Sequence, residues 1–81
     1  MSNANLETLI RTIAVALVDN QDEIKINSVE GETTTIFELM VAKDDVGKVI
    51  GRNGRLADAI RQILTAAAKK ESKLAHFCVL G

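Results

Sequence analysis

Eighty-one residues suffice for one small domain with a single modest core and no more. A hydrophobic fraction of 47% beside 26% charged residues belongs to an ordinary folded chain and excludes a disordered tail; the longest wholly apolar run, residues 13–18, is far too short to cross a membrane. The single cysteine, Cys78, excludes an internal disulfide, and with one histidine, His76, it cannot assemble a zinc site.

No basic segment followed by an apolar one opens the chain, so a cytoplasmic protein without membrane contact is expected. Ser2-Asn3-Ala4 reads either as a cloning remnant or, behind Met1, as a native start. The net charge of −1 hides a strong segregation. Residues 1–42 carry two basic against seven acidic side chains, a net −5, whereas residues 43–73 carry eight against four, a net +4. A basic half of this kind is the footprint of an anionic partner, or else a solvated surface.

In chain order, Asn5 is placed to cap a first helix, in which Leu6, Leu9, Ile10, Ile13 and Leu17 recur at helical spacing. Asp19-Asn20-Gln21-Asp22 ends it, with Asn20 suited to a left-handed position. Residues 24–27 alternate as a strand, Glu30-Gly31-Glu32 forms a turn, and residues 33–41 form a second strand. On that strand Thr35, Phe37, Leu39 and Val41 share one face and Thr34, Ile36, Glu38 and Met40 the other. Asp44 or Asp45 caps a short helix ending at Ile50, and a longer helix follows with Leu56, Ile60, Ile63, Leu64 and Ala67 on one stripe. A basic connector, residues 69–73, leads to a last strand over residues 75–80. The order is therefore α-β-β-α-α-β, with no repeat, no linker and no proline.

Between the two later helices lies Val46-Gly47-Lys48-Val49-Ile50-Gly51-Arg52-Asn53-Gly54-Arg55. Glycines at both ends of a four-residue loop let a bulky ligand approach the backbone. The loop also opens a helix, whose first amides favour an anion such as phosphate. Lys48, Arg52 and Arg55 add positive charge at the same place. A G-x-x-G alone is a weak signal and is usually just a turn. The aliphatic pair Val49-Ile50 before it, the helix after it and a strand on each side of the helix pair make a much stronger one.

This β-α-α-β unit, about residues 33–80, resembles the minimal KH fold, whose G-x-x-G loop clamps the backbone of single-stranded nucleotides. The preceding helix and strand give the type II arrangement: an α+β fold with a three-stranded sheet and three helices on one face. The residues Val29-Glu30-Gly31-Glu32, Glu38-Leu39-Met40-Val41-Ala42, Asp45 to Arg55 and Ala59-Ile60-Arg61 resemble the small bacterial KhpA-type single-KH proteins, over essentially all of residues 6–80. The resemblance implies a single KH domain over residues 1–81 that binds single-stranded RNA and forms a homodimer. It further implies pairing with a larger KhpB-type KH protein, and post-transcriptional control or RNA chaperoning linked to cell division and cell shape. Asn53 stands where a longer polar residue is common and Asp58 where a basic one often sits, and the tail after Phe77 is short.

On that resemblance the RNA-binding residues are Lys48, Val49, Ile50, Gly51, Arg52, Asn53, Gly54 and Arg55. Gly51 and Gly54 admit the sugar–phosphate backbone, the Arg52 and Asn53 amides donate to phosphate, and Lys48, Arg52 and Arg55 attract it, with Arg61 further back. Val46, Val49, Ile50 and Leu56, with part of the second strand, form an apolar wall for bases; Val49, Ile50 and Leu56 are read equally well as core. For Arg55 and Arg61 the plain reading is an exposed ion pair with Asp58.

Only two aromatics, Phe37 and Phe77, occur, and both are expected in the core, so the base-stacking platforms of RRM and OB modules are absent. His76 is expected to face outward and Cys78 to be a small core or edge hydrophobe. No phosphate-binding P-loop, dinucleotide fingerprint or nucleophile elbow is present, so no enzyme and no cofactor are expected. The competing reading is a protein-interaction module or a ribosome-assembly factor built on the same fold.

Overall fold

The computed structural model describes residues 3–81, so the reading of Ser2 as part of a remnant lies outside the described residues. The expected order is found: α1 (Asn3–Leu17), β1 (Lys25–Glu30), β2 (Thr34–Met40), α2 (Val46–Ile50), α3 (Arg55–Lys69) and β3 (Leu74–Leu80). The strands form one sheet in the order β1-β2-β3. β1 runs antiparallel to β2, with Ile26 opposite Leu39, and β2 runs parallel to β3, with Phe37 opposite Phe77. The parallel pairing requires a crossover, which α2 and α3 supply.

Alternation along β2 decides which face of the sheet is covered. Thr35, Phe37 and Leu39, continued by Val41, are buried under the helices. Ile36 and Met40 on the opposite face are each more than a third exposed. Both phenylalanines lie in the core, at 1% and 4% exposure, and neither is available to stack on a base.

The helices meet the sheet along narrower seams than the sequence pattern suggests. In α1 the seam is Leu6, Ile10 and Ala14, continued by Val18, a strict four-residue spacing. Ala14, fully buried, lets the helix sit close to its neighbours, whereas Leu17 rotates off the seam and is 38% exposed. The helix begins by Asn3, which places Asn5 inside its first turn rather than at its cap. Asn20, at φ −99°, is not left-handed; the chain there enters a 3₁₀ turn over Gln21–Glu23. In α3 the seam is Ala57, Ile60, Leu64 and Ala68, leaving Ile63 47% exposed and Leu56 and Ala67 at its margins. Neighbouring helix residues point about 100° apart, so a narrow seam admits only one of each adjacent apolar pair.

The end of α3 is closed by local geometry. Ser72 takes φ 58°; its amide donates to the Lys69 carbonyl and that of Lys73 to Ala68, each at 3.0 Å. This is the Schellman arrangement, with serine where glycine is the usual occupant. It turns the chain directly into β3.

Candidate nucleic-acid interface

α2 is one and a half turns long, too short to be stable by itself. A buried carboxylate holds it. Asp45, 1% exposed, accepts from the Asn20 amide and the Asn20 carboxamide at 3.0 Å each, and from the Asp19 amide at 3.3 Å. Asp45 is, with Asp44, a candidate cap for the helix that follows it. It makes no side-chain cap there; instead it ties the start of α2 to the turn after α1. Lys48 Nζ lies 3.1 Å from the same carboxylate and is also bonded to Asp19. Burial alone would raise the Asp45 pKa, but the donors from Asn20 and Asp19, with Lys48, hold it far below its ordinary 3.8. Lys48 is correspondingly raised above 10.5, first by its bond to Asp19 and then by that to Asp45.

The glycine loop starts from this platform. Gly51 has φ 81° and ψ 174°, Asn53 φ 56° and Gly54 φ 75°. Asparagine is among the few side chains that accept the left-handed region, which accounts for its presence at position 53. The two glycines are required for different reasons. A Cβ on Gly51 would lie 2.7 Å from Leu56 Cβ and 3.0 Å from the Leu56 amide, so this glycine lets the loop close onto α3. A Cβ on Gly54 would meet nothing within 4 Å, so its surface lies open to a ligand. The Gly54 amide donates to the Gly51 carbonyl at 3.2 Å and the Arg55 amide to Arg52, which makes the loop a tight 3₁₀ turn.

The structure divides the residues singled out from the sequence. Arg52, Asn53 and Arg55 are exposed at the loop, and neither arginine has an ion-pair partner among the described residues. Lys48 stands below the loop, engaged by two carboxylates. Val49 is fully buried and Leu56 and Val46 are partly buried against the core; of the apolar group, Ile50 is the one that lines the groove beside the loop.

That surface is a groove of about 360 Å³ bounded by Ile50, Gly54, Ala57, Asp58 and Arg61 on one side and by Phe77, Cys78 and Val79 of β3 on the other. The wall opposite the loop is thus the third strand and not the second. β2 is flanked by strands on both sides, while β3 is an edge. Sequence reasoning missed Ala57, Cys78 and Val79; the one available signal was that a parallel crossover brings the last strand back beside the helix pair. Cys78 is exposed on the edge strand and not in the core, and His76 is exposed as expected. Arg61 pairs with Asp58 at 2.6 Å, as the plain reading has it, and also reaches the Phe77 carbonyl. No group of metal-ligating side chains and no helix long and apolar enough to cross a membrane occurs among the described residues.

Comparison with known proteins agrees with this architecture. The sequence model of the family described as KhpA/KhpB, KH domain, matches residues 7–79. The RNA-binding protein KhpA of Caldanaerobacter subterraneus is 54% identical over 80% of this chain and 87% of its own length. The proteins of the same name from Borreliella burgdorferi and Clostridium acetobutylicum are 50% identical over 89% of this chain and 52% over 84%, covering 88% and 91% of their own lengths. No solved structure matches the chain. With the family match extending from the first helix to the last strand, on a three-stranded sheet in the type II order, the chain belongs to the KhpA/KhpB family of KH domains.

Proposed function

We propose that this chain acts as a single KH domain that binds single-stranded RNA, with the 51–54 loop clamping the sugar–phosphate backbone and the adjoining groove receiving bases. The observation that carries this reading is the conjunction of an open Gly54 surface, two unpaired arginines and a groove ending on the free edge of β3. Phosphate contacts at the loop position the strand, and the edge backbone of β3 offers N–H and C=O groups to the bases. The relatives' name, RNA-binding protein KhpA, supports the same ligand. Lys48 serves this site chiefly by holding α2 through Asp19 and Asp45, while Arg52 and Arg55 supply the attraction.

The family resemblance carries the reading further, to a homodimer that also pairs with a KhpB-type protein and acts as a post-transcriptional regulator or RNA chaperone in the cytoplasm, with effects on cell division and shape. One feature favours a protein-binding role beside the RNA-binding one. The sheet face away from the helices exposes Val29, Ile36, Met40, Leu74 and Leu80. Dimerisation would raise avidity for RNA by linking two weak sites.

The test is a fluorescence titration of a short single-stranded RNA against the wild type and an Arg52→Asp/Asn53→Asp variant shown to be folded. Binding by the wild type and its loss in the variant supports the loop clamp. Equal binding by both, or by neither, removes the loop as the RNA site and leaves the protein-interaction reading.

A further inference from the structure

β3 is bonded to β2 on one side only. Along a strand in a parallel pair, the N–H and C=O of one residue point to the same side, and successive residues alternate. The Leu74 amide donates to the Thr33 carbonyl at 2.9 Å and the Leu80 carbonyl accepts from the Val41 amide at 3.0 Å. Leu74, His76, Cys78 and Leu80 therefore face β2, and Ala75, Phe77 and Val79 turn their backbone groups outward, the last two into the groove. One of those outward acceptors is already covered. Arg61 Nη2 donates to the Phe77 carbonyl at 3.4 Å, while Nη1 is held by Asp58 at 2.6 Å. The Arg61 side chain is 46% exposed, so the guanidinium, with five N–H donors on one plane, still presents donors to the groove.

This changes the hydrogen-bonding pattern that a base would meet. An uncovered edge residue offers a donor beside an acceptor, which is the complement of adenine, whose N6 amino group lies next to an acceptor nitrogen. With the guanidinium over the Phe77 carbonyl, the same spot offers donor beside donor. We infer that Arg61, positioned by Asp58, determines base selectivity at the Phe77 position of this groove, favouring there a base with two adjacent acceptors (guanine through O6 and N7, cytosine through N3 and O2) and disfavouring adenine. Uracil, with N3–H between its two carbonyls, falls between them. The inference rests on the proposed RNA binding and adds to it which bases the groove accepts.

The experiment is a binding titration with four labelled RNA pentamers, UUXUU with X as A, C, G or U. The proteins are the wild type, Arg61→Ala, Arg61→Lys and the Arg52→Asp/Asn53→Asp control. One satisfied rather than unsatisfied hydrogen bond predicts that the wild type prefers the better of G and C over A by about 3- to 10-fold. Arg61→Ala uncovers the Phe77 carbonyl, and the ratio should fall below about 2 or reverse; a half-exposed side chain is removed, so the fold is retained. Arg61→Lys keeps the charge without the planar fork and should lose the ratio while binding as strongly overall. A wild-type preference for adenine, or a ratio unchanged in both Arg61 variants, overturns the inference while binding that depends on the loop leaves the proposed function standing. If no pentamer binds the wild type better than the loop variant, both fall together.

Discussion

Replacing Gly51 by alanine tests whether the loop is built by its packing on α3 or merely tolerates it. The backbone at φ 81° and ψ 174° lies in a region essentially reserved for glycine, and a side chain there costs about 1–3 kcal/mol in strain. The new Cβ also meets Leu56 Cβ at 2.7 Å and the Leu56 backbone amide at 3.0 Å, neither of which can move without shifting the start of α3. Overpacking of this kind adds about 1–3 kcal/mol, for a total of roughly 2–6 kcal/mol. In a domain of this size that lowers the melting temperature by roughly 12–35 °C. Gly54→Ala meets no atom and carries only left-handed strain, about 1–2 kcal/mol. Gly47→Ala, inside α2 with nothing within 4 Å, should gain up to about 1 kcal/mol. Urea denaturation of the three variants, followed by circular dichroism, therefore has an expected order: Gly47→Ala above the wild type, then Gly54→Ala, then Gly51→Ala. A Gly51→Ala protein as stable as the wild type, or less affected than Gly54→Ala, would refute the steric argument. RNA affinity is expected to divide the variants differently, because Gly54 rather than Gly51 presents the open surface.

The Asp45 pKa is depressed on folding, so its stabilisation is complete above the unfolded value near 3.8 and is lost as pH falls below it. Asp45→Asn should be less stable than the wild type at pH 7 and show a flatter loss of melting temperature from pH 4 to pH 2; parallel acid limbs would contradict the network. The raised Lys48 pKa acts with the opposite sign, and its contribution should fade only above about pH 10.5, which the same melting series extended into base will show. In the core, Leu64→Ala should cost about 2–5 kcal/mol, while Ile63→Ala, 47% exposed, should cost less than about 1 kcal/mol in urea titrations; similar losses would misplace the α3 seam. With three or four phosphate contacts, log K should fall with log salt at a slope of about −2 to −3, and Arg52→Gln/Arg55→Gln should reduce the size of that slope by about 1.4. An unchanged slope would place the phosphate contacts elsewhere.

Much of the architecture is legible in the chain itself, because it is set by interactions between near neighbours. Alternation along residues 34–40 assigns the faces of β2, and glycines at positions 51 and 54 with asparagine between them announce a loop that only such residues can form. Helix–strand order follows from the same local periods. Choices that depend on partners distant in sequence were decided only when the chain folded. Periodicity places both Ile63 and Leu64 on an apolar stripe, but which one meets the sheet depends on how far α3 rotates against it. Lys48 reads as a phosphate ligand until Asp19, 29 residues earlier, and the buried Asp45 engage it. The groove wall shows the limit most clearly. No local pattern distinguishes a central strand from an edge strand, and it is the parallel crossover that leaves β3 unpaired beside the glycine loop, with Arg61 across its Phe77 carbonyl.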